Sequence, residues 1–503
     1  MKNYLFRVEA VNLANTVYDT SDISTIRGGG FYLLHRVNEL AKIASYKSHV
    51  VTEGASMAVF KIETDDPEKT RKDIIQSLYG ENIKPFISEM MFLVEYLEYN
   101  GGNFPESMAQ LLGKIRVSQM QAPSMRVFDH TLFGSKKGFD QFNRVLPACE
   151  DDDNKKKYMS IFTKRRRDTG VNLKRSIYAR ILEKSEAEVN LDFTNELDEL
   201  SNDPKKGNLH HKIAFIYVDG NKFGSLQRNF DETQLKSYDT NLKRFKKNLL
   251  ENIFALKNKY PSFLTEKNKL RLETLLWGGD EIKMIVPAWM GWTVAKVFFE
   301  TAETLKIETE DGNKDLTFAM GLVFTHHKNP IQNLVKITHE LAEVVKKNLN
   351  KSAVYNREGG NRLHYMVLES LETLPSDYSS FAINHYKTSV QKLSLSPGDM
   401  NDLQQFATCL DDGFPRNKIR SISQAWLTDI TGRTKDQYPT AISKSLSMCE
   451  MEKDKKEELE KLIQAVTGFN TKQGLVAPSN IDKGYQWLQL AELYDYLVWK
   501  EDK

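Results

Sequence analysis

Along the chain, apolar positions alternate with polar ones or run unbroken for several residues, in a succession that predicts two similar modules. Residues 4–11 (YLFRVEAV) combine aromatic and β-branched side chains and predict a strand. Arg27-Gly28-Gly29-Gly30 reads as a loop, followed by an amphipathic helix over about 31–44. In HVVTEGASMAVFKIE two strand-like runs flank a turn at Glu53-Gly54-Ala55-Ser56. A charged helix over 67–79 and a strand over 89–98 complete the set. Strand, helix, hairpin, helix, strand is the order of a small α+β sheet with helices on one face.

From residue 211 that order returns. IAFIYVD (213–219) predicts a strongly apolar strand, and SYDTNLKRFKKNLLENIFALK a helix. LETLLW (272–277) and IKMIVP (282–287) predict a hairpin around Gly278-Gly279-Asp280-Glu281. A helix over about 291–305, a strand over 316–324, a helix over 331–348 and a strand over 363–369 follow. The repeat lies in element order more than in residues, which implies a duplicated fold. The chain thus divides into a first module (1–100), a connecting region (101–210), a second module (211–373) and a helical C-terminal domain (374–503) with nothing catalytic in its pattern. The acidic run 150–153, the neighbouring lysines 155–157 and Lys164-Arg165-Arg166-Arg167 in the connecting region read as solvated surface.

Composition narrows the function classes. In 503 residues, 70 Lys plus Arg stand against 68 Asp plus Glu, so any nucleic-acid contact must come from local patches. Three separated cysteines (Cys149, Cys409, Cys449) give neither a disulfide framework nor a cysteine zinc site. No run of 18 apolar residues predicts a membrane span and the start lacks a secretory pattern, so a cytoplasmic protein without membrane partners is expected. His210-His211 and His326-His327, without nearby cysteine, read as ordinary surface or core residues.

The candidate chemistry sits in the second module. One apolar strand delivers an acid at its end, in Tyr217-Val218-Asp219-Gly220-Asn221-Lys222-Phe223-Gly224. About sixty positions later a hairpin offers Asp280 and Glu281 at its tip. If the two strands are antiparallel neighbours, these carboxylates meet at one edge and repel unless cations neutralise them. Hard oxygen ligands suit Mg²⁺ or Mn²⁺. Two such ions roughly 4 Å apart serve an in-line displacement on a phosphate. Gly278 and Gly279 permit the tight turn, and Gly220 and Gly224 leave room for a triphosphate against the backbone.

YVDGNKFG paired with LLWGGDEIKMIVP resembles the palm domain shared by GGDEF cyclases and the large polymerase-like subunit of type III CRISPR effector complexes. Asp-Gly-Asn-x-Phe-Gly, the two modules around a linker, and AMGLVFTHHKNPI before a helix ending near Lys346-Lys347 favour the CRISPR subunit. The resemblance implies two ferredoxin-like palms, the first catalytically silent. It implies Asp219, Asp280 and Glu281 as catalytic metal ligands, assisted by the Val218 or Gly220 carbonyl. Gly220, Asn221, Phe223, Gly224, Gly278, Gly279 and Lys346 would bind nucleotide; Ser56 and the Arg27–Gly30 loop would line a second nucleotide's pocket. The implied activity converts ATP, with two Mg²⁺ or Mn²⁺ ions, into cyclic oligoadenylate. The implied partners are guide RNA, target RNA and other effector subunits. Position 281 is Glu where that subunit usually has Asp, the linker lacks paired zinc cysteines, and no histidine is followed by Asp, so HD-type DNA cleavage is not expected. The residues leave two alternatives open: a stand-alone cyclase making another cyclic nucleotide, and a silent palm scaffold.

Overall fold

The computed structural model describes residues 1–501 other than 44–45, 47–48, 55, 80–89, 124–137, 149, 153–156, 310–311, 350–353, 370–377, 434–435, 472 and 477–482. Ala55, Cys149, Lys155, Lys156 and the 373/374 boundary of the sequence reading lie outside the described residues.

The first module is β1 (Lys2–Val11), α1 (Ile23–Lys42), β2 (Val50–Glu53), β3 (Met57–Thr64), α2 (Pro67–Tyr79) and β4 (Met91–Glu98). Its sheet order is β2-β3-β1-β4, all antiparallel, which is the ferredoxin-like arrangement. The connecting region follows, with α3 (Phe104–Gln121), α4 (Ile161–Asn172), α5 (Lys174–Ile181) and the short α6 (Leu197–Ser201).

The second module consists of β5 (Lys212–Gly220), α7 (Glu232–Lys259), β6 (Glu273–Trp277), β7 (Ile282–Pro287), α8 (Ala288–Ala302), β8 (Phe318–His326), α9 (Ile331–Asn348) and β9 (Arg362–Leu368). Its sheet order, β6-β7-β5-β8-β9, repeats that of the first module and adds β9 parallel to β8. Strand β5 is apolar almost throughout because both its faces are covered. Gly291 on α8 sits against Ala214 and Phe324, whereas Gly321 on β8 sits against the Thr338 carbonyl of α9. Helix α9 therefore lies on the opposite face from α8, over Tyr217 and Ala319.

After β9 come α10 (Tyr378–Tyr386), α11 (Pro397–Asp411), α12 (Arg416–Ile430), α13 (Gln437–Ser447), α14 (Lys453–Thr467) and α15 (Tyr485–Val498). The helical C-terminal region is as expected. It joins the main core, with Tyr496 of α15 stacked on Phe324 of β8.

Two expectations are corrected. Arg27–Gly30 is not a loop but the interior of α1, whose N-terminus is capped by Asp22 accepting from the Thr25 amide. Each interior glycine costs a helix roughly 1 kcal/mol relative to alanine, and close packing is what it permits here. A Cβ on Gly28 would fall 1.7 Å from the Arg166 carbonyl oxygen, one on Gly170 2.0 Å from that of Ser24, and one on Gly30 2.6 Å from that of Leu275. Helix α1 thus crosses α4 and strand β6 at backbone contact. Nor is the basic run on α4 simply solvated. Arg166 is fully buried, pairs with Asp19 at 2.7 Å and lies 4.1 Å above the Phe162 ring. A charge block predicts solvent only when no half-buried acid waits for it.

Candidate active site at the acidic hairpin

The register brings the two acidic motifs together. Strand β7 pairs antiparallel with β5, Ile282 opposite Val218. The hairpin closes with the Gly278 amide donating to the Glu281 carbonyl at 2.7 Å. Beyond the last ladder pair, the Gly220 amide donates to the Asp280 carbonyl at 3.2 Å, so the end of β5 and the tip of the hairpin are in direct contact.

Lysines partly neutralise these acids. Asp219 accepts from the Tyr217 hydroxyl at 3.2 Å and is ion-paired with Lys346 of α9. Glu281 pairs with Lys283 at 2.8 Å, and Lys283 also donates to the Tyr18 hydroxyl at 3.0 Å. Among the described residues Asp280 makes no such ion pair. Burial first, then the charges of Asp219 and Glu281, push its carboxyl up to about 6 against the weaker pull of Lys346. Burial, then Glu281 and Asp219, also hold the Tyr217 phenol far above its usual range. Three acids converging with one proton affinity raised is a donor set that fits an oxygen-preferring divalent cation.

Beside the hairpin a cavity of about 480 Å³ opens between the two modules, within the roughly 300–1,000 Å³ of small-molecule sites. On one side it is lined by Gly278, Gly279, Asp280, Glu281 and Gly224; on the other by Thr52, Gly54 and Ser56, with Arg7 and Arg116 beside them. A Cβ on Gly279 or Gly224 would meet nothing within 4 Å, so the backbone there is open to a ligand. Lys246 of α7 donates to the Gly278 carbonyl at 3.1 Å, and burial, with Lys243 nearby, lowers it to about 8. Asp239 of the same helix accepts from the Glu53 amide at 3.2 Å. Lys243 pairs with the Glu53 carboxylate at 2.7 Å, so α7 bridges both hairpins.

The remaining sequence candidates are placed differently. The Val218 side chain is in the core, leaving only its main chain for a ligand role. Gly220 makes room for a ring, since a Cβ there would come within 2.6 Å of Phe223. Phe223 packs edge-on against Phe318, and buried Asn221 donates to Thr317 Oγ1 at 3.0 Å and the Gly360 carbonyl at 2.8 Å. Both side chains brace the loop after β5 rather than facing the cavity. Lys346 reaches Asp219 instead of open space. Ser56 and Gly30 line the cavity, but Arg27 is buried in a bridge to Glu273.

The sequence reading missed Arg7, Arg116, Tyr18 and Lys283. Arg7, Arg116 and Tyr18 come from segments outside the second module, whose approach to the cleft is set by packing, whereas Lys283 lies on β7 only two residues past Glu281. It also treated the histidine pairs as ordinary, yet the β5–β8 register brings them together.

Residues 212–355 match the family model of the Cas10/Cmr2 second palm domain. No curated protein matches the chain in sequence. Among solved structures, the chain resembles the Csm1–Csm4 subcomplex of the type III-A CRISPR-Csm interference complex at 13% identity and TM-score 0.55, covering 98% of this chain and 70% of that one. It resembles Csm1 of T. onnurineus at 14% identity and TM-score 0.54, over 98% and 69% of the two chains. It is also similar to a Csm1–Csm4 cassette in complex with cA4, at 14% identity and TM-score 0.52, over 98% and 70%. At these identities the likeness is one of fold. It runs through both modules and the helical C-terminal region, and agrees with the resemblance read from the acidic motifs.

Proposed function

We propose that this chain, whose second module matches the Cas10/Cmr2 palm and whose fold resembles Csm1, is a nucleotidyltransferase. It would join ATP units through 3′–5′ bonds into cyclic oligoadenylate, as a subunit of a type III CRISPR effector switched on by target RNA. The observation carrying this reading is the contact between Gly220 and Asp280 beside a cavity walled by both modules.

Asp219, Asp280 and Glu281, with a main-chain carbonyl of Val218 or Gly220, would hold two Mg²⁺ or Mn²⁺ ions. When bound, these supply Lewis-acid activation of the attacking hydroxyl and charge stabilisation of the departing pyrophosphate. The chain's own residues do the rest. Lys346 must release Asp219, which frees a carboxylate and leaves an ammonium close to incoming phosphates. Arg7 and Arg116 give the facing wall fixed positive charge. Gly279 and Gly224, lacking side chains, let phosphate oxygens approach backbone amides. Two nucleotides held against two hairpins would turn a bimolecular reaction into a positioned one, and positioning supplies much of the rate.

The pairing of Asp219 with Lys346 also favours a second reading, a palm that binds nucleotide without turnover. Incubation with labelled ATP, Mg²⁺ or Mn²⁺, and target RNA bound in its effector complex separates the readings. Oligoadenylate formed only with RNA supports the proposal. Product without RNA indicates a stand-alone cyclase, and nucleotide binding without product indicates the scaffold.

A further inference from the structure

At the end of β5 and β8 remote from the acidic hairpin, three potential ligands from separate segments face one point. His211 immediately precedes β5 and His327 immediately follows β8, and the pairing of Lys212 with His326 sets them side by side. Asp198 comes from α6, which is tied to the same place by the His211 amide donating to the Ser201 carbonyl at 2.9 Å. Asp198 Oδ1 lies 3.3 Å from His211 Nδ1 and 3.5 Å from His327 Nε2, and all three ligand atoms fall within 4.8 Å of one another.

We infer that Asp198, His211 and His327 bind one first-row divalent transition-metal ion, Zn²⁺ being the best matched. With metal–ligand bonds of about 2.0–2.1 Å, the edge of a tetrahedral site is about 3.3 Å. Two edges of this triangle already have that length, and a small imidazole rotation closes the third.

The hydrogen bonding around the histidines points the same way. His327 Nδ1 is 3.1 Å from the His211 carbonyl and 3.4 Å from Ser201 Oγ. The Ser201 hydroxyl gives its own proton to the Leu197 carbonyl at 2.7 Å, so both neighbours of Nδ1 are acceptors. That network assigns the ring proton to Nδ1 and leaves the Nε2 lone pair aimed at Asp198. A histidine whose far nitrogen donates to a main-chain carbonyl is oriented as metal-bound histidines usually are. His211 Nδ1 is buried and makes no hydrogen bond. A carboxylate, an acceptor nitrogen of His327 and an unpartnered nitrogen of His211 therefore converge, and a cation is their complement.

His211 also holds a left-handed backbone, φ 62°, a conformation uncommon for a residue other than glycine. His210 and His326 accept from the Asp203 and Lys328 amides at 3.1 and 3.2 Å, which leaves the fourth position to water. Asp198, 59% exposed, gives the ion its entry path. Imidazole nitrogens favour a transition metal over Mg²⁺. Eight residue steps along the strand, about 27 Å at about 3.4 Å each, separate His211 from Asp219, so the site is independent of the proposed nucleotide chemistry. Its role is a clasp, fastening the connecting region to the two central strands of the second sheet.

Full-length protein carrying Asp219→Ala and Asp280→Ala, stripped with chelator, is titrated with Zn²⁺ and then with Co²⁺. One Zn²⁺ per chain, a visible Co²⁺ absorption band of low symmetry and a raised melting temperature are expected. His327→Gln and Asp198→Asn should each weaken binding at least tenfold and remove the Co²⁺ band, while His326→Gln keeps both. Asp198, on the surface, serves if the His327 variant does not fold. Absence of saturable Zn²⁺ in the parent, or unchanged affinity in both ligand variants, overturns the inference.

Discussion

The two palm-like modules make the same backbone contact with different side chains. In the first, the Ala10 amide donates to the Ser56 carbonyl at 2.8 Å; in the second, the Gly220 amide donates to that of Asp280 at 3.2 Å. The residue before each amide is an acid, Glu9 or Asp219. Glu9 is gripped by Arg7 at 2.8 Å and Arg116 at 2.7 Å, guanidiniums that never lose their charge. Asp219 faces a single lysine and two further carboxylates. One topology thus yields a saturated edge and an under-neutralised one. Arg7 and Arg116, paired with Glu9, line the same cleft as Asp280, Glu281, Lys243, Lys246 and Lys283, so cationic and acidic side chains share one cleft, a fit for a polyphosphate carried with divalent cations.

The largest effect should separate the hairpins by activity. Asp219→Ala or Asp280→Ala should lower oligoadenylate synthesis at least ~10³-fold, because a lost metal ligand removes several kcal/mol of charge stabilisation. Ser56→Ala, at the matching position of the first module, should cost no more than about tenfold, as one hydrogen bond does. Product separated by chromatography measures both. Equal losses would erase the functional asymmetry.

Stability should separate the strand and hairpin acids by sign. Glu9→Gln leaves two guanidiniums without a counter-charge and should destabilise the protein by about 2 kcal/mol, after allowing for the half-exposed Arg116. Asp280→Asn should stabilise by about 1 kcal/mol, because it removes a carboxylate whose charge is unwelcome. Linkage supplies the signature. With a folded value of about 6 against an ordinary value of 3.8, the folded state holds the extra proton between those values. The contribution of Asp280 to stability is therefore fully present below about 4, and is lost as pH rises to about 6. In urea melts without metal, the advantage of the Asn variant should grow across that window and level off near pH 7. A flat difference would show that Asp280 is not held in this environment.

Much of this was legible in sequence, where the carriers were local. The strand of residues 213–219 and the hairpin at 278–281 announce themselves by apolar runs and paired glycines, and their element order repeats that of the first module. Arg27–Gly30 misled because glycines punctuate loops more often than helices, and only the crossing of α1 with α4 and with strand β6 requires them. Asn221 and Phe223 belong to a motif whose residues divide between bracing and lining, a division set by Phe318 and Thr317 about a hundred positions away. The histidine pairs lie more than a hundred residues apart, and their convergence follows only from the β5–β8 register.

The smallest expected effect concerns the lysine that distinguishes Asp219 from Glu9. Lys346 is partly exposed and reaches Asp219 from the last turn of α9, with Glu343 at 3.7 Å competing for it. An ion pair so placed is worth up to about 1 kcal/mol, or roughly fivefold in an equilibrium. If Lys346 and a cation compete for one carboxylate, Lys346→Met should tighten Mn²⁺ binding to nucleotide-free protein by up to about that factor. The same ammonium, once displaced, would assist the triphosphate, so the variant should also show a raised KM for ATP. Tighter Mn²⁺ with weaker ATP is a split that general damage to the site would not produce. Mn²⁺ binding followed by electron paramagnetic resonance, with steady-state synthesis on the same samples, tests it. Weaker binding of both would mean that Lys346 props Asp219 in place as rigidly as the two arginines hold Glu9.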